Sequence, residues 1–357
     1  MIVSLCSIAY NEEDNIGYLF KSILEQTYPH DKIELVLVDG ISTDKTRELM
    51  NAFCMQHKSE FFDVKIKENP KRVQPAGWNV AIENSVGDVI IRVDSHSVLD
   101  KEFVSNNVRC IEQGADVCGG KRTNIMKNGR SALLLAELSM FGSGVADFRR
   151  GTEKKYVNTV AQACYKKEVF NNVGRFNEKL LRSEDNEMHY RIRKAGYKIC
   201  YDDSIVSEYF TRPTLKGMLR QKFGNGKYVG ITTKISPKVF NWYHYVPCLF
   251  VLCAIAALAM LICSFCFSNP YLSIPFAAGV GVYLLADIAL SILSCKQAKN
   301  KAAFFPLLIL FPLLHFAYGS GTVIGFLEMP FINLRTNEER LENQNRQEDC
   351  KQKNKQS

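Results

Sequence analysis

Residues 2–46 read IVSLCSIAYNEEDNIGYLFKSILEQTYPHDKIELVLVDGISTDKT, and the alternation within them decides the fold class. Ile2–Ala9 is an apolar run of strand length, ended by the polar Asn11-Glu12-Glu13-Asp14. Ile16, Leu19, Phe20, Ile23 and Leu24 then recur at helical spacing. Ile33–Val38 is β-branched and alternating, and it closes on a polar turn from Asp39 to Asp44. The pattern continues downstream: Thr46–Cys54 reads as a helix, Val64–Lys67 as a third strand, Pro75–Asn84 as a helix, and Asp88–Val93 as a fourth strand ending at Asp94. Strands alternating with helices predict an α/β domain with a mostly parallel central sheet covered on both faces. In open sheets of this kind ligands sit outside the carboxyl ends of the strands. Here those ends carry Tyr10-Asn11-Glu12, Asp39 and Asp94. No GxxxxGK[ST] occurs, and no GxGxxG follows the first strand, which excludes a P-loop NTPase and a dinucleotide enzyme. A site this acidic accepts a phosphorylated ligand only with a divalent cation to offset the repulsion.

Four segments carry a family likeness. Val3–Glu13, VSLCSIAYNEE, resembles the first strand and loop of the family 2 glycosyltransferases, inverting enzymes with the GT-A fold (the nucleotide-diphospho-sugar transferase fold). Val38–Thr46, VDGISTDKT, resembles that family's VDDGSTDGT, with Gly40 in place of the second Asp and Ile41 in place of the Gly. Arg92–His96, RVDSH, stands where the family has its DxD, and Ser183–Tyr197, SEDNEMHYRIRKAGY, resembles the segment that supplies its catalytic base. The likeness covers about residues 1–235 and is similar in flavour to membrane-anchored exopolysaccharide transferases such as the succinoglycan glucosyltransferases.

The resemblance implies a role for each position. Ala9, Tyr10 and Glu12 belong to the donor-binding loop. Asp39 accepts an imide N–H of the nucleobase, which is apt for uracil and favours a UDP-sugar. Asp94 and His96 hold a divalent metal that bridges to the diphosphate. With an imidazole replacing the second carboxylate, Mn²⁺ is favoured over Mg²⁺, which prefers hard oxygen ligands. Glu184 belongs to the substrate site and Asp185 is the general base, taking the acceptor hydroxyl's proton as its oxygen attacks from the opposite face. Arg220-Gln221 stand near acceptor or diphosphate contacts, although there is no full QxxRW. Lys71-Arg72 and the loop Gly174–Glu178 read equally as site elements and as plain turn and packing features.

The formal charge of +8 is local. Seven Lys or Arg and no acid lie between Arg212 and Lys238, and Lys296, Lys299 and Lys301 follow; these ten exceed the surplus and leave the remainder at −2. Both patches border strongly apolar segments, so a nucleic-acid-coating protein is excluded. From Tyr245 to Ser294 the one formal charge is Asp287. Crossing a bilayer takes about 20 apolar residues, and the segments at about 245–267 and 271–294 qualify. The segment at about 302–327 is as long but contains Pro306, Pro312, Gly319, Gly321 and Gly325, and reads either as a third crossing or as a re-entrant or interfacial piece. Lys and Arg mark the cytoplasmic side. The expected organisation is therefore a GT-A catalytic domain over 1–208, a basic amphipathic interfacial segment over 209–240, a membrane region of two or three helices over 241–328, and a polar tail over 329–357. The twelve cysteines are scattered, which argues against a disulfide framework. Met1–Tyr10 is not a signal peptide, since it lacks a basic start and a cleavage site.

The expected protein is a multi-pass enzyme of the cytoplasmic membrane, its catalytic domain in the cytoplasm, moving a sugar from a nucleotide sugar to a polyprenyl-linked glycan in cell-surface polysaccharide synthesis. A polyprenyl-phosphate glycosyltransferase and a catalytically dead membrane scaffold are the alternatives. Membrane lipids are expected partners and nucleic acid is not.

Overall fold

The computed structural model describes residues 1–127, 132–142, 151 and 153–334. Strands β1 (Val3–Ala9), β2 (Ile33–Asp39), β3 (Asp63–Glu68) and β4 (Val89–Asp94) alternate with helices α1 (Ile16–Leu24), α2 (Thr46–His57) and α3 (Gln74–Asn84), with boundaries close to those of the sequence pattern. The four strands lie side by side in the order β3-β2-β1-β4 and all run parallel. Beyond them come β5 (Ser97–Leu99), α4 (Phe103–Glu112), β6 (Val117–Ile125), α5 (Ala132–Leu138), β7 (Lys155–Tyr156), β8 (Ala161–Lys166), α6 (Lys167–Val173), α7 (Glu184–Lys194) and β9 (Ile199–Phe210). They extend the same nine-stranded sheet through β8, β6, β9 and β5. This half is mixed: β6 and β9 are parallel, whereas β4–β8, β8–β6, β9–β5 and β9–β7 are antiparallel.

Alternation along the parallel strands fills both faces, as expected of strands covered on two sides. Leu5, Ile33, Leu35 and Leu37 meet Leu19 and Ile23 of α1, Met50 of α2 and Phe103 of α4. Cys6, Val36, Val38 and Ile90 point the other way, to Trp78 of α3 and to Met188 and Ile192 of α7.

From β9 the chain enters α8 (Leu215–Thr232), then α9 (Val246–Cys266), α10 (Ile274–Ala298) and α11 (Phe304–Glu328). The last three are long and apolar enough to cross a membrane. Pro312 lies inside α11 without ending it. Helix α8 packs on α11 rather than standing alone. A Cβ on Gly226 would come within 2.0 Å of the Tyr318 carbonyl oxygen, and one on Gly325 within 2.0 Å of that of Lys227. The glycines that look like helix breakers in the sequence are thus the contact surface of a helix pair. Every described cysteine is free. The polar tail expected over 329–357 lies outside the described residues from 335 onward.

Candidate active site

Parallel register brings the strand ends level. Ala9 pairs with Asp39, and Ile8 with Asp94, so the ends of β1, β2 and β4 form one rim. The loops after β1 and β2 are stitched together above it. The Thr43 N–H donates to Asn11 Oδ1 (2.8 Å), the Asn11 N–H to Ser42 Oγ (3.0 Å) and the Glu12 N–H to Thr46 Oγ1 (2.8 Å). Asp39 is buried and accepts from the Ser42 N–H through both carboxylate oxygens, at 3.3 and 3.2 Å. Two non-glycine residues here, Asn11 (φ 54°) and Ile41 (φ 61°), adopt the left-handed conformation.

The rim opens into a cleft of about 210 Å³. Ala9, Tyr10, Glu12, Asp94 and His96, all named by the sequence, line it; so do Arg72 and Arg212. His96 is nearly enclosed, with Nδ1 3.1 Å from Glu12 Oε1 and its ring edge-on to Tyr209 at 4.5 Å. Burial works against a charge on His96, but Tyr209, Glu12 and Asp94 outweigh it and push its pKa up to about 10. The acids around this imidazole therefore favour positive charge at that spot, and its Nε2 is buried with no hydrogen-bond partner. A carboxylate and an unpartnered imidazole nitrogen two residues apart fit a divalent cation. Among the described residues no three His, Cys, Asp or Glu side chains converge into a complete cage, so phosphate or water oxygens would have to fill the remaining positions.

Asp185 lies in the first turn of α7, whose preceding residue Ser183 is also left-handed (φ 63°, ψ 13°). A non-glycine residue in that conformation next to a functional segment marks a backbone held by its surroundings. Asp185 accepts from its neighbour Asn186, through the backbone N–H (2.7 Å) and the side-chain amide (3.0 Å). Glu184 is buried, with Arg92 Nη2 3.7 Å away. That guanidinium sits over Trp78 (4.3 Å) and Phe176 (4.8 Å). Arg92 is two residues before Asp94 on β4, so the pair joins the metal-candidate strand to the helix carrying Asp185. Burial and Asp185 raise the Glu184 pKa to about 8 against the pull of Arg92. A separation of 3.7 Å exceeds a hydrogen bond. The attraction is therefore incomplete, and the neutral carboxyl prevails at neutral pH. Below them, buried His189 joins Thr159 (2.8 Å) and Tyr165 (3.0 Å).

Arg220 is exposed on α8 and does not line the cleft, and Gln221 is partly buried with an unpartnered Oε1. The cation that α8's approach brings to the cleft is Arg212 instead. Arg182 stands nearby, bonded to Asn225 (2.9 Å), its pKa lowered by burial and then by Arg212. Sequence reasoning missed Arg92, Arg182 and Arg212. Arg92 was visible inside RVDSH, but only the three-dimensional fold pairs it with Glu184. Lys71 pairs with Glu178 on the surface, and Phe176 of the Gly174–Glu178 loop is a packing residue against Arg92.

Residues 4–174 match the family described as glycosyl transferase family 2. The chain belongs to that family. It is 27% identical over 267 residues to a Methanococcus voltae enzyme named dolichyl N-acetyl-alpha-D-glucosaminyl phosphate 3-beta-D-2,3-diacetamido-2,3-dideoxy-beta-D-glucuronosyltransferase, covering 73% of this chain and 83% of that protein. It is 30% identical over 221 residues to the succinoglycan biosynthesis protein ExoA of Rhizobium meliloti, covering 61% of this chain and 66% of that one. A mannosyltransferase of Pyrobaculum calidifontis, solved with GDP-Man and Mn²⁺, shares the fold at a TM-score of 0.55 and 16% identity, covering 90% of this chain and 86% of the other. The sheet is thus the GT-A sheet of a family 2 glycosyltransferase, and the protein is an enzyme of that class.

Proposed function

We propose that this transferase moves a sugar, with inversion, from a UDP-sugar to a saccharide carried on a polyprenyl lipid at the cytoplasmic face of the membrane, in synthesis of a surface glycan. The observation that carries the reading is the union of four sequence motifs around one cleft, with Asp94 and Asp185 tied together through Arg92 and Glu184. Asp39, at the floor of the rim, receives the base. Asp185 accepts the proton of the acceptor hydroxyl as that oxygen forms its bond to the anomeric carbon and the bond to the diphosphate breaks. Asp185 is suited to this because its partner Glu184 stays neutral and leaves the negative charge on Asp185. Arg212, with Arg182 behind it, meets the charge of the departing nucleoside diphosphate. Asp94 and His96 would hold a divalent ion, which when bound neutralises the diphosphate, and the imidazole favours Mn²⁺. A lipid-linked acceptor is supported by the Methanococcus relative, whose name specifies a dolichyl-phosphate-linked sugar, and by the apolar helices that follow the catalytic domain.

The test is nucleotide release from a panel of UDP- and GDP-sugars by detergent-solubilised enzyme, supplied first with polyprenyl phosphate alone and then with a lipid-linked glycan. Turnover is expected with a UDP-sugar and the glycan acceptor, and better recovery of metal-stripped enzyme with Mn²⁺ than with Mg²⁺. Asp185→Asn is expected to lower turnover by two or more orders of magnitude while donor binding survives. Full turnover on polyprenyl phosphate alone would replace this reading with the polyprenyl-phosphate transferase.

A further inference from the structure

Helix α11 is long enough to cross a bilayer: 25 residues at 1.5 Å each span about 37 Å. A crossing helix delivers its two ends to opposite faces of the membrane. Both ends of α11 are instead held by the catalytic domain and the helix that issues from it.

At its start, Leu307, Leu310, Phe311 and Leu314 pack with Leu135 and Ala136 of α5 and with Met218 at the head of α8. Along its middle, Gly321 and Gly325 lie against the backbone of Phe223 and Lys227, and α8 answers with Gly226 and Gly230. At its end, Glu328 pairs with Lys227 (2.8 Å), and Lys234 Nζ donates to the carbonyls of Met329 (3.0 Å), Pro330 (3.1 Å) and Ile332 (2.6 Å). Asn177, just before α7, then donates to the Leu334 carbonyl (2.9 Å), and Leu334 packs on Leu180. A catalytic domain of this size is about 45 Å across, so α11 fits along its underside from edge to edge.

The other two apolar helices behave differently. Only 11% of the most apolar stretch of each is buried within the protein, against 39% for α11. They form a hairpin, with Phe250 against Tyr283 at 4.8 Å. The first turns of α9 touch α11, where Gly319 sits on the Pro247 carbonyl. The level at which α9 leaves the catalytic domain is therefore the level at which the second half of α11 runs.

We propose that α11 does not cross the bilayer but lies in its interface beside α8, on the face that carries the catalytic domain, so that α9 and α10 alone span and the chain after Leu334 returns to the catalytic side. The occupant of its outer edge is lipid. Phe305, Ile309, Phe316, Leu327 and Phe331 are exposed there, and this apolar edge is continuous with the spanning hairpin. Exposed Lys216 and Arg220 on α8 and Lys296, Lys299 and Lys301 before α11 rim it. An apolar edge bordered by cations fits acyl chains below anionic headgroups.

Full-length protein in sealed membranes carries the test. Protease-cleavable tags are placed at Met1, between Asn269 and Pro270, and after Ser357, and digested from one side. Tags at Met1 and Ser357 are expected to be cut together, with the 269–270 tag protected. A Ser357 tag that shares its side with the 269–270 tag overturns the proposal. A second readout needs no insertion: with Trp242→Phe as background, single Trp replacements at Ile309, Phe316 and Leu327 are quenched by lipids brominated near the headgroup or at mid-chain. All three are expected to respond most to the shallow bromines. Quenching of the Phe316 position chiefly by the mid-chain bromines would show a crossing helix.

Discussion

Two single residues in the site are set against their surroundings, and each predicts a measurable consequence. Ile41 holds φ 61° in a turn where the family resemblance places a glycine. A β-branched residue in the left-handed region costs about 1–2 kcal/mol, while glycine's extra freedom in the unfolded chain costs about 0.5–1 kcal/mol. Ile41 is 36% exposed and gives up little buried surface. Ile41→Gly is therefore expected to raise the melting temperature by a few degrees, corresponding to a gain of up to about 1 kcal/mol, and an unchanged or lower value would mean that Ile41 is held by contacts rather than strained. Glu184 offers a pH experiment. Its folded pKa of about 8 lies above the ordinary 4.5, so between those values the folded state keeps a proton that the unfolded state has lost. Wild-type stability then falls as pH rises through that window and levels off above it, by at most about 1.4 kcal/mol per unit. Glu184→Gln lacks the slope, so it is expected to match wild type near pH 4.5 and exceed it by pH 8–9. If Glu184 were instead ionised against Arg92, the same substitution would destabilise at neutral pH by about 3–5 kcal/mol.

Among the elements, those with local causes were legible in the sequence and those with distant causes were not. Period-two and period-3.6 patterns located β1 through β4 and their helices, and the strand-end rule located Asp39, Asp94 and the Tyr10–Glu12 loop before any coordinates. The antiparallel insertion of β8 between β4 and β6 has no such local signature, because a strand buried on both faces reads the same in either direction. The Arg92–Glu184 pair was hidden for the same reason: its partners are 92 positions apart in sequence and meet only through the sheet. Helix α8 shows the limit most clearly. Its basic residues and apolar spacing suggested a surface helix, yet Gly226 and Gly230 dock it on α11. Gly226→Ala would drive a methyl group into the Tyr318 carbonyl and is expected to cost at least about 1–3 kcal/mol, read as a lower melting temperature in detergent. Gly279→Ala on α10 meets nothing within 4 Å and is expected to be neutral or stabilising by up to about 1 kcal/mol. Equal losses at both positions would show that the α8–α11 contact is no tighter than an ordinary lipid-facing surface.

At the scale of the molecule, the distribution of charge connects the membrane to the cleft. The +8 surplus is concentrated on α8, its approach and the loop before α11, and Arg212, which lines the cleft, lies only three residues before α8 begins. The spanning hairpin already retains the protein in the bilayer, so these cations are not needed to keep it there. What they can set is the height and tilt of α8 against the headgroups, and with it the distance from the cleft to an acceptor anchored in lipid. At about 1 kcal/mol for each Lys or Arg near an anionic surface, three of them are enough to shift that equilibrium more than a hundredfold. Raising the anionic lipid fraction of nanodiscs is therefore expected to increase transfer to a lipid-linked acceptor several-fold. Slow hydrolysis of the donor by water, which needs no lipid, should not change. Replacing Lys296, Lys299 and Lys301 together by Gln should flatten the lipid dependence of transfer and leave hydrolysis at its wild-type rate. If transfer is equally fast in neutral and anionic nanodiscs, the patches fix topology alone and the cleft's height is set by protein contacts.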